Sequence, residues 1–141
     1  MKLFTIGYEG STQAEFIAAL KQAGVERVID VRSVPLSRKP GFSKNVLKAG
    51  LAEEGIDYVH LKALGTPPDG RTAARAGKRA ELERIYAAQL ELPEAMVAAA
   101  EMRELAGQKA SALLCFERDP AICHRSLLFD AEAQGFERVE Q

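Results

Sequence analysis

Eleven residues, CFERDPAICHR (115–125), bring together two cysteines, a glutamate, a histidine and two arginines. Further upstream, IDVRSVPLSRKPGF supplies Asp30, Arg32, Arg38 and Phe42, and the short runs TIGYEG and DYVHL add Tyr8 and His60. These residue types support four chemistries. Cys123 could serve as a thiolate nucleophile, because it stands at the expected start of a helix, where free backbone N–H groups and the helix dipole lower a thiol's pKa. Cys115, Cys123, His124 and His60 have the side chains of a zinc site but lack paired C-x-x-C spacing. Cys115 and Cys123 could form a redox switch across the loop between them. Arg32, Arg38 and Arg125 could hold a phosphate or carboxylate while Glu117, Asp30 or His124 moves protons. The last option uses the most residues with the fewest special assumptions.

Each motif also has a plainer use. Asp30 and Arg32 flank Val31, so period-two alternation sets them on one side of a strand end and Val31 on the other. They could be an ion pair that fixes the following loop, or Arg32 could grip an anion while Asp30 orients it or acts as a base. Cys115 ends an apolar run and is expected to pack into the core, as free cysteines commonly do. Tyr8 and His60 are as well suited to hydrogen-bonded structural roles as to substrate contact. Between Asp30 and Glu53 the chain carries Arg32, Arg38, Lys39, Lys44 and Lys48 and no acidic residue, and Arg71, Arg75, Lys78 and Arg79 form a second basic cluster. Such runs are usually solvated faces, but two of them favour contact with phosphates, with Phe42 available to stack on a base.

The elements that must position these residues follow from pattern. LFTIGY reads as a strand, and Ser11 or Thr12 caps a helix through QAEFIAALKQA that stops at Gly24. VERVIDV is a second strand. KNVLKAGLAEEG is a helix closing on Gly55, and IDYVHL is a third strand. GTPPDGRTAARAG (65–77) reads as loop, followed by helices in KRAELERIYAAQL and PEAMVAAAEMRELAG. KASALLCF is a buried strand, HRSLLFDAEAQG a helix, and FERVEQ a short edge strand. Strands alternating with helices predict one α/β domain over residues 1–141, a three-layer α/β/α sandwich with a mainly parallel sheet. Ligands of such sheets collect beyond the carboxyl ends of the strands. The segments expected there, GYEGS, DVRSVPLSRKPGF, HLKALGTPPDG and CFERDPAICHR, hold most of the chemically capable residues.

Composition narrows the classes. The chain has 141 residues, 47% of them hydrophobic, enough for a single core without staples. Its 19 basic and 20 acidic residues leave no global field that would draw it onto nucleic acid or an anionic membrane, so any anion preference must be local. The N-terminal run and the absence of a long apolar stretch lead to the expectation of a cytoplasmic protein with no membrane partner. In that reducing compartment a structural disulfide is not expected.

The runs TIGYEG, IDVRSVPLSRKPGFS, GIDYVHLKALG and LLCFERDPAICHRSLL together resemble the successive motifs of the DUF488 family, a family defined as a domain of unknown function. The resemblance extends from about Thr5 to the end. It implies a small intracellular α/β protein whose shared polar residues converge on one face, and it implies no settled reaction. The family's motif positions fall on Gly7, Tyr8, Asp30, Arg32, Ser37, Arg38, residues 40–42, His60, Gly65, Cys115, Glu117 and residues 123–125. LGTPP departs from the pattern, with Thr66 where a second glycine is expected.

The resulting expectation is an anion-binding cleft for a phosphate-bearing small molecule or nucleic acid, with hydrolysis of that ligand as one expected activity. Arg32, Arg38 and Arg125 would bind the anion, with Glu117, Asp30, His124 and Cys123 as catalytic candidates and Tyr8, Phe42 and His60 as substrate contacts. The alternatives are a non-catalytic nucleic-acid-binding module and a thiol-dependent enzyme, rhodanese-like or redox, using Cys123. No cofactor is required by this reading, and zinc is the metal the residue types would suit.

Overall fold

In a computed structural model, which describes residues 1–117 and 123–140, five parallel strands form one sheet in the order β3-β2-β4-β1-β5. The strands are β1 (Lys2–Gly7), β2 (Arg27–Asp30), β3 (Asp57–His60), β4 (Ser111–Cys115) and β5 (Glu137–Glu140). The helices are α1 (Gln13–Ala23), α2 (Lys44–Glu53), α3 (Pro68–Arg75), α4 (Arg79–Leu90), α5 (Pro93–Gln108) and α6 (His124–Glu132). The expected path through residues 118–122 and the end of the last strand at Gln141 lie outside the described residues.

Strand alternation sorts the core into two halves. Leu3, Ile29 and Leu113 face α4, α5 and α6, packing with Tyr86, Met102 and Leu128. Phe4, Val28, Ala112 and Leu114 face the other way, onto Phe16, Leu20, Leu47 and Leu51 of α1 and α2. The result is a three-layer α/β/α sandwich. β4, β1 and β2 are buried on both faces, as the continuous apolar run SALLC requires, while β3 and β5 are half-exposed edges.

Local chemistry sets the element ends. Thr12 caps α1 in a capping box with Glu15, and Gly24 ends it at φ 78°, in the left-handed region that glycine enters without steric cost. The segment read as loop after Gly65 instead forms α3, preceded by a single 3₁₀ turn at Lys62–Leu64. The physical reason is position. Pro68 occupies the first turn, where its missing N–H has no helical partner to lose, and Gly70 lies against Thr66 and Leu82, where a side chain has no room. Among the described residues no helix is long and apolar enough to cross a membrane.

This topology makes the crevice. The chain leaves β1 and β2 toward the α1/α2 face but leaves β4 toward α6 on the opposite face. The carboxyl end of β4 is therefore a switch point where the sheet's upper rim parts. Gly65 closes one side of it, packed so tightly on the segment after β2 that a Cβ would fall 2.2 Å from the Ser33 backbone nitrogen. Gly65→Ala should accordingly cost about 2 kcal/mol or more in denaturant unfolding, by overpacking. Gly107→Ala, which meets open space, should be neutral or slightly stabilising. Equal stabilities for the two variants would contradict this packing.

Candidate functional site

The DVR segment runs off the end of β2 as irregular backbone, and a buried ion pair holds it. Asp30 is 0% exposed and Arg32 6%. Arg32 Nε and Nη2 donate to the two oxygens of Asp30 at 2.9 and 2.7 Å, a bidentate fork, and the Arg32 backbone N–H adds a third bond at 3.1 Å. Tyr58 donates its hydroxyl to the same carboxylate. The rest of the guanidinium is also engaged, with Nη1 donating to the Phe42 carbonyl at 2.7 Å and to Tyr8 Oη at 3.3 Å. Burial alone would lower the Arg32 pKa, but the hydrogen bonds and charge of Asp30 outweigh it and raise the value. Tyr58 is pushed up by burial and then by the Asp30 charge, so it remains a proton donor.

Carbonyls that irregular backbone leaves outside the sheet at this rim are captured by side chains, buried for His124 and Tyr86 and half-buried for His60. His60 Nε2 bonds the Arg32 carbonyl at 2.7 Å, His124 Nε2 bonds the Val31 carbonyl at 2.8 Å, and Tyr86 donates to the Leu64 carbonyl at 2.6 Å. A carbonyl only accepts, so His124 carries its proton on Nε2 and presents a bare Nδ1 on the other side. Burial lowers its pKa to about 4, so the ring is neutral at pH 7.

At the switch point, β4 ends on Cys115, and Cys123 directly precedes α6. The two are joined as a disulfide with Cα atoms 7.2 Å apart, which differs from the free thiols that a reducing compartment led us to expect. Cys123 is the N-cap of α6 and accepts the Arg125 N–H at 3.4 Å. The Arg125 side chain turns inward, donating to Cys115 Sγ at 3.1 Å and to the Glu117 carbonyl. The half-buried carboxyl of Glu117 is raised above its usual range by burial, which the nearby Arg125 charge only partly offsets.

A cleft of about 560 Å³ opens above these groups, a size suited to a nucleotide-sized ligand. Arg32, Arg38, Arg71 and Arg75 line it, so the two basic clusters, far apart in sequence, converge here. Glu117 is the one carboxylate among its described lining residues. Arg71 bonds Ser33 Oγ at 2.5 Å and Arg75 reaches only Thr72, and among the described residues neither they nor Arg38 pair with a carboxylate. The apolar part of the wall includes Val34, Leu36 and Phe116, each substantially exposed, with Phe116 edge-on to Tyr8 at 5.3 Å.

The expected site residues separate accordingly. Glu117, Arg32, Arg38, Tyr8 and His124 border the cleft, and so does Cys115. Three side chains are placed otherwise than expected. Phe42 cannot stack on a base, because its ring is fully buried, stacked on Tyr8 at 4.4 Å and edge-on to Phe16. Arg125, 0% exposed and turned onto Cys115 and Glu117, does not line the cleft. Asp30 has both oxygens occupied and orients Arg32 rather than acting as a free base. His60 lies beneath the rim on the Arg32 carbonyl. Phe116 and Thr66 are cleft residues that the sequence reading passed over. The signal for Phe116 was its place between Cys115 and Glu117, one residue past a strand that ends at the switch point.

A family model described as "Domain of unknown function DUF488" matches residues 12–131, most of the chain. No curated protein and no solved structure matches.

Removing one partner of a buried pair leaves an uncompensated charge. Asp30→Ala should therefore cost about 3–5 kcal/mol in denaturant unfolding. Arg32→Lys, which keeps the charge but loses the fork, should also destabilise measurably. A loss under about 1 kcal/mol in Asp30→Ala, the ordinary value for exposed pairs, would contradict the structural role assigned here.

Proposed function

The chain belongs to the DUF488 family, whose description assigns no reaction, and from the cleft we propose that it binds a phosphate-bearing ligand, a nucleotide or nucleic acid, and hydrolyses it with Glu117 as general base. The observation that carries this reading is the convergence of Arg38, Arg71 and Arg75, from separate segments and without carboxylate partners among the described residues, on a cleft whose described lining holds one carboxylate. Guanidinium groups without internal carboxylate partners are suited to bidentate phosphate recognition. Phe116, Val34 and Leu36 offer an apolar surface for a base or sugar, and Glu117 lines the same cleft. Arg32 serves as scaffold in this reading, since its hydrogen bonds are spent internally. The same reading expects the chain to work in the cytosol, with no membrane partner.

A non-catalytic nucleic-acid-binding module would use the same arginines, and the two readings part at Glu117. Glu117→Gln should keep ligand affinity within about twofold and abolish turnover, measured by nucleotide binding and phosphate release side by side. Arg38→Ala and Arg75→Ala should each weaken binding by about tenfold at low salt, with a shallower salt dependence than the parent. Unchanged affinity in both arginine variants would contradict the anion cleft. Turnover unaffected in Glu117→Gln would contradict the role given to Glu117, and ligand binding with no phosphate release from the parent chain would leave the binding module as the better reading.

A further inference from the structure

The two sulfurs at the switch point are surrounded by features that a disulfide does not need. We propose that, once reduced, the chain binds one zinc-class divalent cation through Cys115 Sγ, Cys123 Sγ and His124 Nδ1, with the fourth coordination position facing the cleft. The three ligand atoms already lie within 4.8 Å of one another, in a buried setting. A tetrahedral zinc with sulfur at about 2.3 Å and nitrogen at about 2.0 Å holds its ligand atoms roughly 3.5–3.8 Å apart. His124 Nδ1 and Cys123 Sγ stand at 4.0 Å, close to that spacing. The Cα separation of Cys115 and Cys123, 7.2 Å, lies past the ordinary disulfide span of about 4.4–6.8 Å, so once the bond is reduced the two side chains can part around an ion.

The surroundings are those of a supported metal ligand set. Metal-bound histidines almost always donate their other ring N–H to a carbonyl or carboxylate, and His124 Nε2 is fixed on the Val31 carbonyl at 2.8 Å, leaving Nδ1 to coordinate. The Arg125 backbone N–H donates to Cys123 Sγ and its guanidinium to Cys115 Sγ, hydrogen bonds that hold thiolates in place. Two thiolates neutralise the dication, and the charge of the buried Arg125 is met outside the set by the Glu140 carboxylate, 4.0 Å from its Nη2. Cys115 and His124 border the cleft, as does Glu117, so a water in the fourth position would be presented to whatever the cleft holds. In sequence the set shows only as residue types, because its cysteines are eight residues apart rather than in a C-x-x-C pair, and the structure drops His60 from it. As a metal site the proposal stands alone. As a source of attacking water it rests on the hydrolytic reading above.

A phosphine reductant breaks the sulfur–sulfur bond to give two thiols while water supplies the oxygen of the phosphine oxide, and the incoming ion displaces both thiol protons to solvent. The test is to reduce the full chain with such a phosphine, exclude oxygen, titrate with Co²⁺ and then Zn²⁺, and record the absorption spectrum and the metal retained after gel filtration. One equivalent per chain is expected, with thiolate-to-cobalt charge-transfer bands and the intense visible bands of a tetrahedral site, both bleached by zinc. Cys115→Ser and Cys123→Ser should each lose those bands while Glu117→Gln keeps them. A reduced wild-type chain that retains no metal, or whose cobalt spectrum lacks thiolate bands, overturns the site whatever the variants do. Stoichiometric binding that leaves phosphate release unchanged supports the site and counts against the bound ion as the source of attacking water.

Discussion

Everything at the carboxyl rim of the sheet depends on the buried pair of Asp30 and Arg32. Stripping two charges of water costs several kcal/mol per ion, and that cost is offset only because nearly every donor and acceptor on both side chains is used. The return is geometric. One guanidinium ties the end of β2 to Phe42 ten residues further on and to Tyr8 after β1, so the rim beyond two strands is fixed by a single planar fork. With the two histidines and Tyr86 capping stray carbonyls, the irregular segments can stand in a buried setting without orphaned backbone.

That frame divides the arginines into two kinds. Arg32 and Arg125 are buried and committed inward, one to the β2 loop and the other to the β4–α6 junction. Arg38, Arg71 and Arg75 stand on the loop and helix that border the cleft, with no carboxylate partners among the described residues. The overall charge of −1 shows none of this, because the cations are concentrated at one rim rather than in excess over the chain. Catalysis by Glu117 and coordination by the cysteine pair would both draw on the same property, a preformed rim at the one place where the sheet's connections diverge.

The strand and helix sequence was legible because each element carries its own signal: apolar or β-branched runs for β1, β2 and β4, a capping box for α1, and glycine stops at Gly24 and Gly55. α3 was not, since Pro-Pro-Asp-Gly has the composition of a turn and becomes helical only where Gly70 seats against Thr66 and Leu82. In the site, period-two spacing put Asp30 and Arg32 on one side, but which use they have was decided by Tyr8, Tyr58 and Phe42, contacts made across long sequence separations. Arg125 and Arg38 look alike in sequence. One begins a helix whose side chains turn into the core, the other sits on an exposed proline-bounded loop, and only the three-dimensional arrangement tells them apart. Phe42 and Phe116 exchange roles for the same reason.

The most direct test of this division is a nuclear magnetic resonance titration of the ¹⁵N-labelled chain with a nucleoside triphosphate, followed through the arginine Nε–Hε signals. The account predicts progressive shifts for Arg38, Arg71 and Arg75, with the signals of Arg32 and Arg125 sharp, protected from exchange and nearly unmoved. Shifts led by Arg32 or Arg125, or spread over the surface with no preference for the cleft, would contradict it.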